Sequence, residues 1–277
     1  MNQVAAFTAP DRLSSFAIGQ WPLRGTARST AVTKPALPRA DLAHDARQNQ
    51  LLSQLPAAAW QRWLPHLEAV DMPLGKVLFE AGRPHTHVYF PTTAIISLLN
   101  LLEDGASAEV AVVGRDGMVG ISLLMGSSTT STSAVVHSAG RGWRLPARLL
   151  QDECERGGET LKLLLRYAQA LITQITQTAL CNRHHSLDQQ LCRSLLRSLD
   201  LLDSNQLVVT HELIANMLGV RREGITQAAG QLNKAGLISC RRGHITVLDR
   251  NGLEQRSCEC YAAAKVEYDR LLPAPMA

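Results

Sequence analysis

Between Leu207 and Leu248 the apolar positions recur first at helical spacing and then in alternation. Leu213, Ile214, Met217 and Leu218 share one helical face. Thr210 precedes them, a hydroxyl residue suited to accept from a free backbone N–H at a helix start. Glu212 falls in the first turn, where a negative charge suits the helix dipole. Gly219 follows the apolar run directly, as expected of a left-handed residue that ends a helix. A second helix carries Ile225, Ala228, Ala229 and Leu232 on its inner side and stops at Gly236. Small Ala215, then Gly219, then Ile225 have the spacing of a helix-turn-helix. Ile238 to Val247 alternate around Arg242-Gly243, which predicts a short β-hairpin. Together these predict a winged helix-turn-helix. Gly224 and Gly230 each cost the second helix about 1 kcal/mol against alanine, so close backbone approach or simple slack is expected there.

Upstream the pattern changes several times. Residues 1–46 hold Pro10, Pro22, Pro35 and Pro38 without periodicity, with Arg12, Arg24, Arg28 and Lys34 among them, and predict a flexible tail. Leu51, Leu52, Leu55, Trp60, Trp63, Leu64 and Leu67 suggest two short helices. From Leu74 to Leu145 short apolar runs are parted by turns at Glu80–Gly82, Glu103–Gly105, Arg115–Gly117 and Ala139-Gly140, which predicts a jelly-roll-like β barrel. Residues 148–203 read as helical. A three-four stripe of Leu161, Leu164, Leu165, Ala168, Leu171, Ile172, Ile175 and Ala179 fits a coiled-coil seam or packing on the chain's own barrel. Gly157-Gly158 marks its start. From Ser186 an amphipathic helix turns Leu187, Leu191, Leu195 and Leu199 inward, and a last helix runs from about Gly252 to Leu272. The expected fold is α+β: a tail to residue 46, a barrel over 47–147, a long connecting helix over 148–185 and a winged helix-turn-helix over 186–277.

Composition narrows this modestly. A chain of 277 residues, 45% hydrophobic, suits two globular domains and excludes wholesale disorder. Net charge is +4, so the whole is no polycation, yet residues 206–250 hold six Lys or Arg against three Asp or Glu. The six cysteines are scattered, which suits reduced cytosolic thiols better than a disulfide framework. No apolar run approaches the roughly 18 residues of a membrane span. A soluble, cytoplasmic protein without a membrane partner is expected.

The front of the second helix presents Arg221, Arg222, Glu223, Thr226 and Gln227. An α-helix fits the major groove of B-DNA with its N-terminal residues at the base edges. Arginine can bind guanine through two bonds, glutamate accepts from cytosine, glutamine pairs with adenine, and threonine suits a phosphate or a thymine methyl. Arg241, Arg242 and His244 on the wing, with Thr210 and His211 at the first helix, are expected near phosphates. An isolated Arg-Arg-Glu is ordinarily a solvated turn. Inside this frame, contact with a double-stranded DNA operator is the expected role.

The segment Leu218-Gly-Val-Arg-Arg-Glu223 resembles the turn-and-recognition segment of the Crp/Fnr family of bacterial transcription regulators. The resemblance extends from about Gln48 to Leu272 and is strongest after His184. It implies that Arg222 and Glu223 read the operator, while Gln227 replaces the family's second base-reading arginine and shifts the preference. It also implies a cyclic-nucleotide-binding-like barrel, a homodimer joined along the long helix on a two-fold operator, and RNA polymerase as a further partner. The family's cyclic nucleotide pocket uses a Gly-Glu and an Arg-Ser pair. Here Gly120 is followed by Ile121, and Thr132 stands before Ser133. Both charged contacts are gone, so the effector is expected to be an unknown small molecule other than cyclic AMP, held if at all around Gly120, Thr132 and Ser133. The Ser127–Ser133 run reads as a loop rather than an anion cradle.

Three other clusters invite chemistry. His85-Thr-His87 would put two imidazoles on one strand face, and a cupin-like metal-dependent enzyme using His85 and His87 is the alternative function. The carboxylate that cupins place nearby is missing, and surface histidines near a turn are expected. Cys181-Asn-Arg-His-His185 lacks a second Cys/His pair at zinc-like spacing and reads as a polar helix end. Cys258 and Cys260, two apart on a presumed helix, should face different sides. No cysteine precedes Cys154, against the family's iron–sulfur branch. Neither a cofactor, a metal nor catalysis is expected.

Overall fold

The computed structural model describes residues 44–103, 106–241 and 243–273. Most of the expected tail, the Asp104-Gly105 turn and the wing residue Arg242 lie outside these residues. Ala46, assigned to the tail by pattern, is instead buried in the first core.

The lead-in forms two short helices, α1 (Gln50–Ser53) and α2 (Ala57–Trp63). Asn49 anchors them. Its Oδ1 accepts from the backbone N–H groups of Leu51 and Leu52, each at 3.1 Å, while Nδ2 donates to the carbonyls of Pro91 and Gly117, each at 2.8 Å. A buried amide therefore caps a helix and ties it to the barrel, with both ends satisfied. Trp63 lies in the core beside Phe90, and truncating it to alanine would cost about 3–5 kcal/mol.

Seven strands follow: β1 (Glu68–Met72), β2 (Val77–Phe79), β3 (His87–Pro91), β4 (Ile95–Leu101), β5 (Ser107–Val113), β6 (Ser133–Ser138) and β7 (Gly140–Pro146). They form two antiparallel sheets, ordered β1-β7-β3 and β2-β6-β4-β5. The apolar inner faces supply Met72, Val88, Phe90, Ile96, Val113 and Leu145 to one core. Gly142 is required on β7, since a Cβ there would stand 2.7 Å from the carbonyl oxygen of Phe90.

Helix α3 (Ala147–Arg156) ends at Gly157, and α4 (Gly158–His184) is the long connecting helix. Tyr167 lies on Gly117 and donates to the Met118 carbonyl at 2.6 Å, and the Gln174 side chain accepts from Val112 N at 2.7 Å. The stripe expected along this helix divides. Leu164, Ala168 and Leu171 are buried, whereas Leu165, Ile172 and Ile175 stay exposed.

After a break at His185, a capping box of Ser186 and Gln189 starts α5 (Leu187–Asp200). Then come β8 (Gln206–Val208), α6 (His211–Leu218), α7 (Arg222–Lys234), β9 (Ile238–Arg241) and β10 (His244–Val247). Leu191, Leu195, Leu213, Ile225, Leu232 and Ile245 share the second core. The wing is a three-stranded sheet ordered β8-β10-β9. The short β8 carries too few residues to show alternation in the sequence. The last helix is two: α8 (Arg250–Arg256) and α9 (Glu259–Leu271), parted by Ser257 and Cys258 in extended conformation. Tyr268, Leu271 and Leu272 return to the barrel core.

Candidate nucleic-acid interface

Thr210 caps α6, its Oγ1 accepting from Leu213 N at 3.1 Å. Gly219 ends α6 at φ 65°, a left-handed backbone that favours glycine. The chain then turns and α7 begins after Arg221. This turn leaves Arg221, Arg222, Glu223, Thr226 and Gln227 exposed together, while Ile225, Ala228, Ala229 and Leu232 face the core. Arg222 is 65% exposed, with its Nε 3.8 Å from the Glu212 carboxylate. So loose an ion pair in water contributes little and leaves the guanidinium available. Thr226 donates to the Arg222 carbonyl at 3.0 Å and lies 3.2 Å from the His211 ring. Burial, with the nearby Arg222 charge, holds His211 below the ordinary imidazole range, so near neutral pH it offers a hydrogen bond rather than a cation. On the wing, Arg241 and His244 are both exposed and face each other across the β9–β10 pair.

The two helix glycines differ. A Cβ on Gly224 would meet Leu187 of α5 at 2.9 Å, whereas Gly230 faces open space. The close neighbour at Gly224 is a leucine side chain rather than a backbone, and Gly230 is slack.

A sequence profile of the cyclic nucleotide-binding domain matches residues 70–156, and one of the Crp-like helix-turn-helix domain matches residues 189–256. Together they cover more than half of the chain, in this order.

The chain belongs to the Crp/Fnr family of transcription regulators.

It is 24% identical over 220 residues to the global nitrogen regulator of Synechococcus elongatus, covering 76% of this chain and 98% of that protein. It is similar in fold to a Crp/Fnr-family regulator from Eubacterium rectale, with a TM-score of 0.60 at 21% identity over 76% of this chain and 98% of that one. FixK2 from Bradyrhizobium japonicum shares the fold at a TM-score of 0.61 and 15% identity, over 69% and 98%.

In the family's barrel, Gly120 takes φ 110° at the start of a short turn, and Ser133 is buried with its hydroxyl accepting from Ala81 N at 3.0 Å. Thr132 pairs with Thr130 at 3.1 Å. Ser127, Thr130, Thr132 and Ser133 thus bond within the run or to Ala81.

His85 departs from expectation. It precedes β3 rather than sharing that strand's face with His87, and it is buried against the Phe79 ring, not on the surface. Apolar contact holds it where a turn residue would ordinarily face water. Neither histidine belongs to a group of three or more close metal-ligating side chains among the described residues. The cupin-like enzyme reading loses its geometry, and the comparisons lead to regulators instead.

Sequence reasoning missed two further networks. Ser97 donates to Glu109 at 2.5 Å and lies 3.2 Å from His137 Nδ1 inside the β4-β5-β6 sheet. Burial pushes Glu109 up to about 7, against the Ser97 hydrogen bond and the charges of Arg193 and Arg197. Burial alone holds His137 down to about 4. These residues come from three strands, 12 residues separating Ser97 from Glu109 and 40 separating it from His137, so no local motif marks them. Likewise, Cys181, His185, Cys258 and Cys260 converge, although 77 residues separate Cys181 from Cys258. The reading of Cys258 and Cys260 as facing apart fails because Cys258 lies in the extended cap before α9, not in a continuous helix.

Among the described residues, no helix is long and apolar enough to cross a membrane.

Proposed function

We propose that the protein acts as a homodimer that reads a two-fold DNA operator through the front of α7. Arg222 and Glu223 contact base edges with Gln227, while Arg221, Thr226, Thr210, His211, Arg241 and His244 lie along phosphates, and the sequence assigns Arg242 the same role. The observation that carries this reading is the shared exposure of Arg221, Arg222, Glu223, Thr226 and Gln227 at the start of a helix whose opposite face is core.

The exposed residues of α4 support the dimer. Leu165, Ile172, Ile175 and Ala179 continue a three-four spacing through buried Ala168. A row of apolar side chains in water suits a second copy of the same helix. Two-fold pairing would place two α7 helices for half-sites about one helical turn apart.

Regulation is a shift between arrangements of barrel and reading domain. Arg197 of α5 pairs with Asp116, Arg115 with Asp203, and Leu201 packs on Ile95 and Val112 of the barrel. An effector that favours one arrangement of this contact would alter the spacing of the two reading helices. With Ile121 and Thr132 in place of charged groups, that effector is a small molecule other than cyclic AMP. Action in the cytoplasm, with RNA polymerase as partner, completes the proposal.

Selection of bound duplexes from a randomised pool tests it. The expected enrichment is an inverted repeat with half-sites one turn apart. Enrichment of an unpaired site, or none, would count against it.

A further inference from the structure

We propose that Cys181, His185, Cys258 and Cys260 bind one zinc-type divalent ion, with three sulfurs and the His185 Nδ1 as its four ligands. Their ligand atoms all lie within 4.8 Å of one another. The Cys181 and Cys258 sulfurs are 3.5 Å apart, and the Cys260 sulfur is 3.6 Å from His185 Nδ1. Zinc holds sulfur at about 2.3 Å and imidazole nitrogen at about 2.0–2.1 Å, so tetrahedral ligands stand roughly 3.5–3.8 Å from one another. The cluster is therefore already close to the size of a single-ion site. It is too tight for an iron–sulfur cluster, whose ligands surround several metal atoms.

Local structure aims these groups. Cys181 is in the last turn of α4, and the His185 backbone N–H donates to the Cys181 carbonyl at 3.0 Å as the helix ends. Gln190 of α5 donates to the carbonyls of both residues, at 3.4 and 3.0 Å, and holds that bend. Cys258 caps α9 and Cys260 lies in its first turn. All three thiols are buried.

The outer contact agrees. His185 Nε2 is 3.3 Å from the Glu259 carboxylate. A carboxylate on the outer nitrogen fixes the tautomer that leaves the other nitrogen free to ligate. Ordinary packing explains one buried cysteine as a small hydrophobe. It does not explain three sulfurs and an oriented imidazole meeting at one point. A Cys181–Cys258 disulfide would leave Cys260 and His185 without a role.

Binding would release the three thiol protons to solvent. The resulting bonds would join the end of α4 to the start of α9, beside the bend that leads into the reading domain. The inference stands on these side chains and does not depend on DNA binding.

The test is metal content by mass spectrometry of the full-length chain, purified reduced, without chelator and with any affinity tag removed. One zinc ion per chain is expected. Exchange for cobalt should give the visible bands of tetrahedral thiolate coordination. The double variant Cys258→Ser, Cys260→Ser should lose the ion, and Cys192→Ala, outside the cluster, should keep it. If the double variant fails to fold, Glu259→Gln serves instead: it should weaken affinity roughly 10- to 100-fold against a chromogenic chelator. A reduced wild-type chain that takes up neither zinc nor cobalt at one per chain would overturn the proposal. So would metal content unchanged in the double variant, or affinity unchanged in Glu259→Gln.

Discussion

The Arg197 guanidinium on α5 donates to the Asp116 carboxylate at 2.6 Å, with the two side chains only 17% and 10% exposed. Arg197 also lies over the Tyr268 ring, 4.8 Å from its centroid. One cation thus joins the barrel, the reading domain and the last helix. Desolvating such a pair is costly, but removing one partner costs more because the other charge is left buried.

Asp116→Ala should therefore destabilise the protein by about 3 kcal/mol. Urea unfolding followed by circular dichroism measures this. A midpoint equal to wild type would show that the contact between barrel and reading domain is not held by this pair.

Glu109 and His137 give opposing pH dependences. Glu109, raised to about 7 from an ordinary 4.5, keeps a proton in the folded state that the unfolded chain has released, so its contribution falls as pH rises through that window. His137, lowered to about 4 from 6.5, refuses a proton that the unfolded chain takes up, so its contribution falls as pH drops from 6.5 towards 4. In the wild type the two largely cancel between these values. Glu109→Gln should unmask the histidine: stability should climb with pH between about 4 and 6.5, with a slope approaching 1.4 kcal/mol per pH unit. Denaturant titrations across this range check it, and a flat profile in the variant would contradict the assignment.

Ile172→Glu places like charges opposite each other if α4 pairs with its copy. Sedimentation should then shift from dimer to monomer, with operator affinity falling alongside. A variant that remains a dimer would move the interface elsewhere.

Much of this architecture was legible in the sequence. The winged helix-turn-helix declares itself because its elements are local: Thr210 caps, Gly219 turns, and apolar spacing marks each face. The barrel shows through its glycine turns. What the sequence could not reveal depends on long-range closure. Ser97, Glu109 and His137 meet only when three strands align, and Cys181 meets Cys258 only when α9 folds back along α4. The burial of His85 is not legible in the sequence because it comes from the Phe79 ring rather than from its own neighbours in the chain. The dual nature of the α4 stripe follows from Tyr167 and Gln174 fixing one face on the barrel, which spacing alone does not specify.

Arg241→Ala should weaken DNA binding on every sequence alike and flatten the salt dependence by about one unit per half-site. Anisotropy titrations at several salt concentrations read this slope. An unchanged slope would remove the wing from the phosphates.

The most direct measurement is the affinity of Arg222→Ala for the selected operator and for a panel of its single-base variants. A loss of about 1–3 kcal/mol on the best site is expected, with lost discrimination at one base pair of each half-site. An equal loss on all sequences, or no loss at all, would contradict the claim that the front of α7 reads bases.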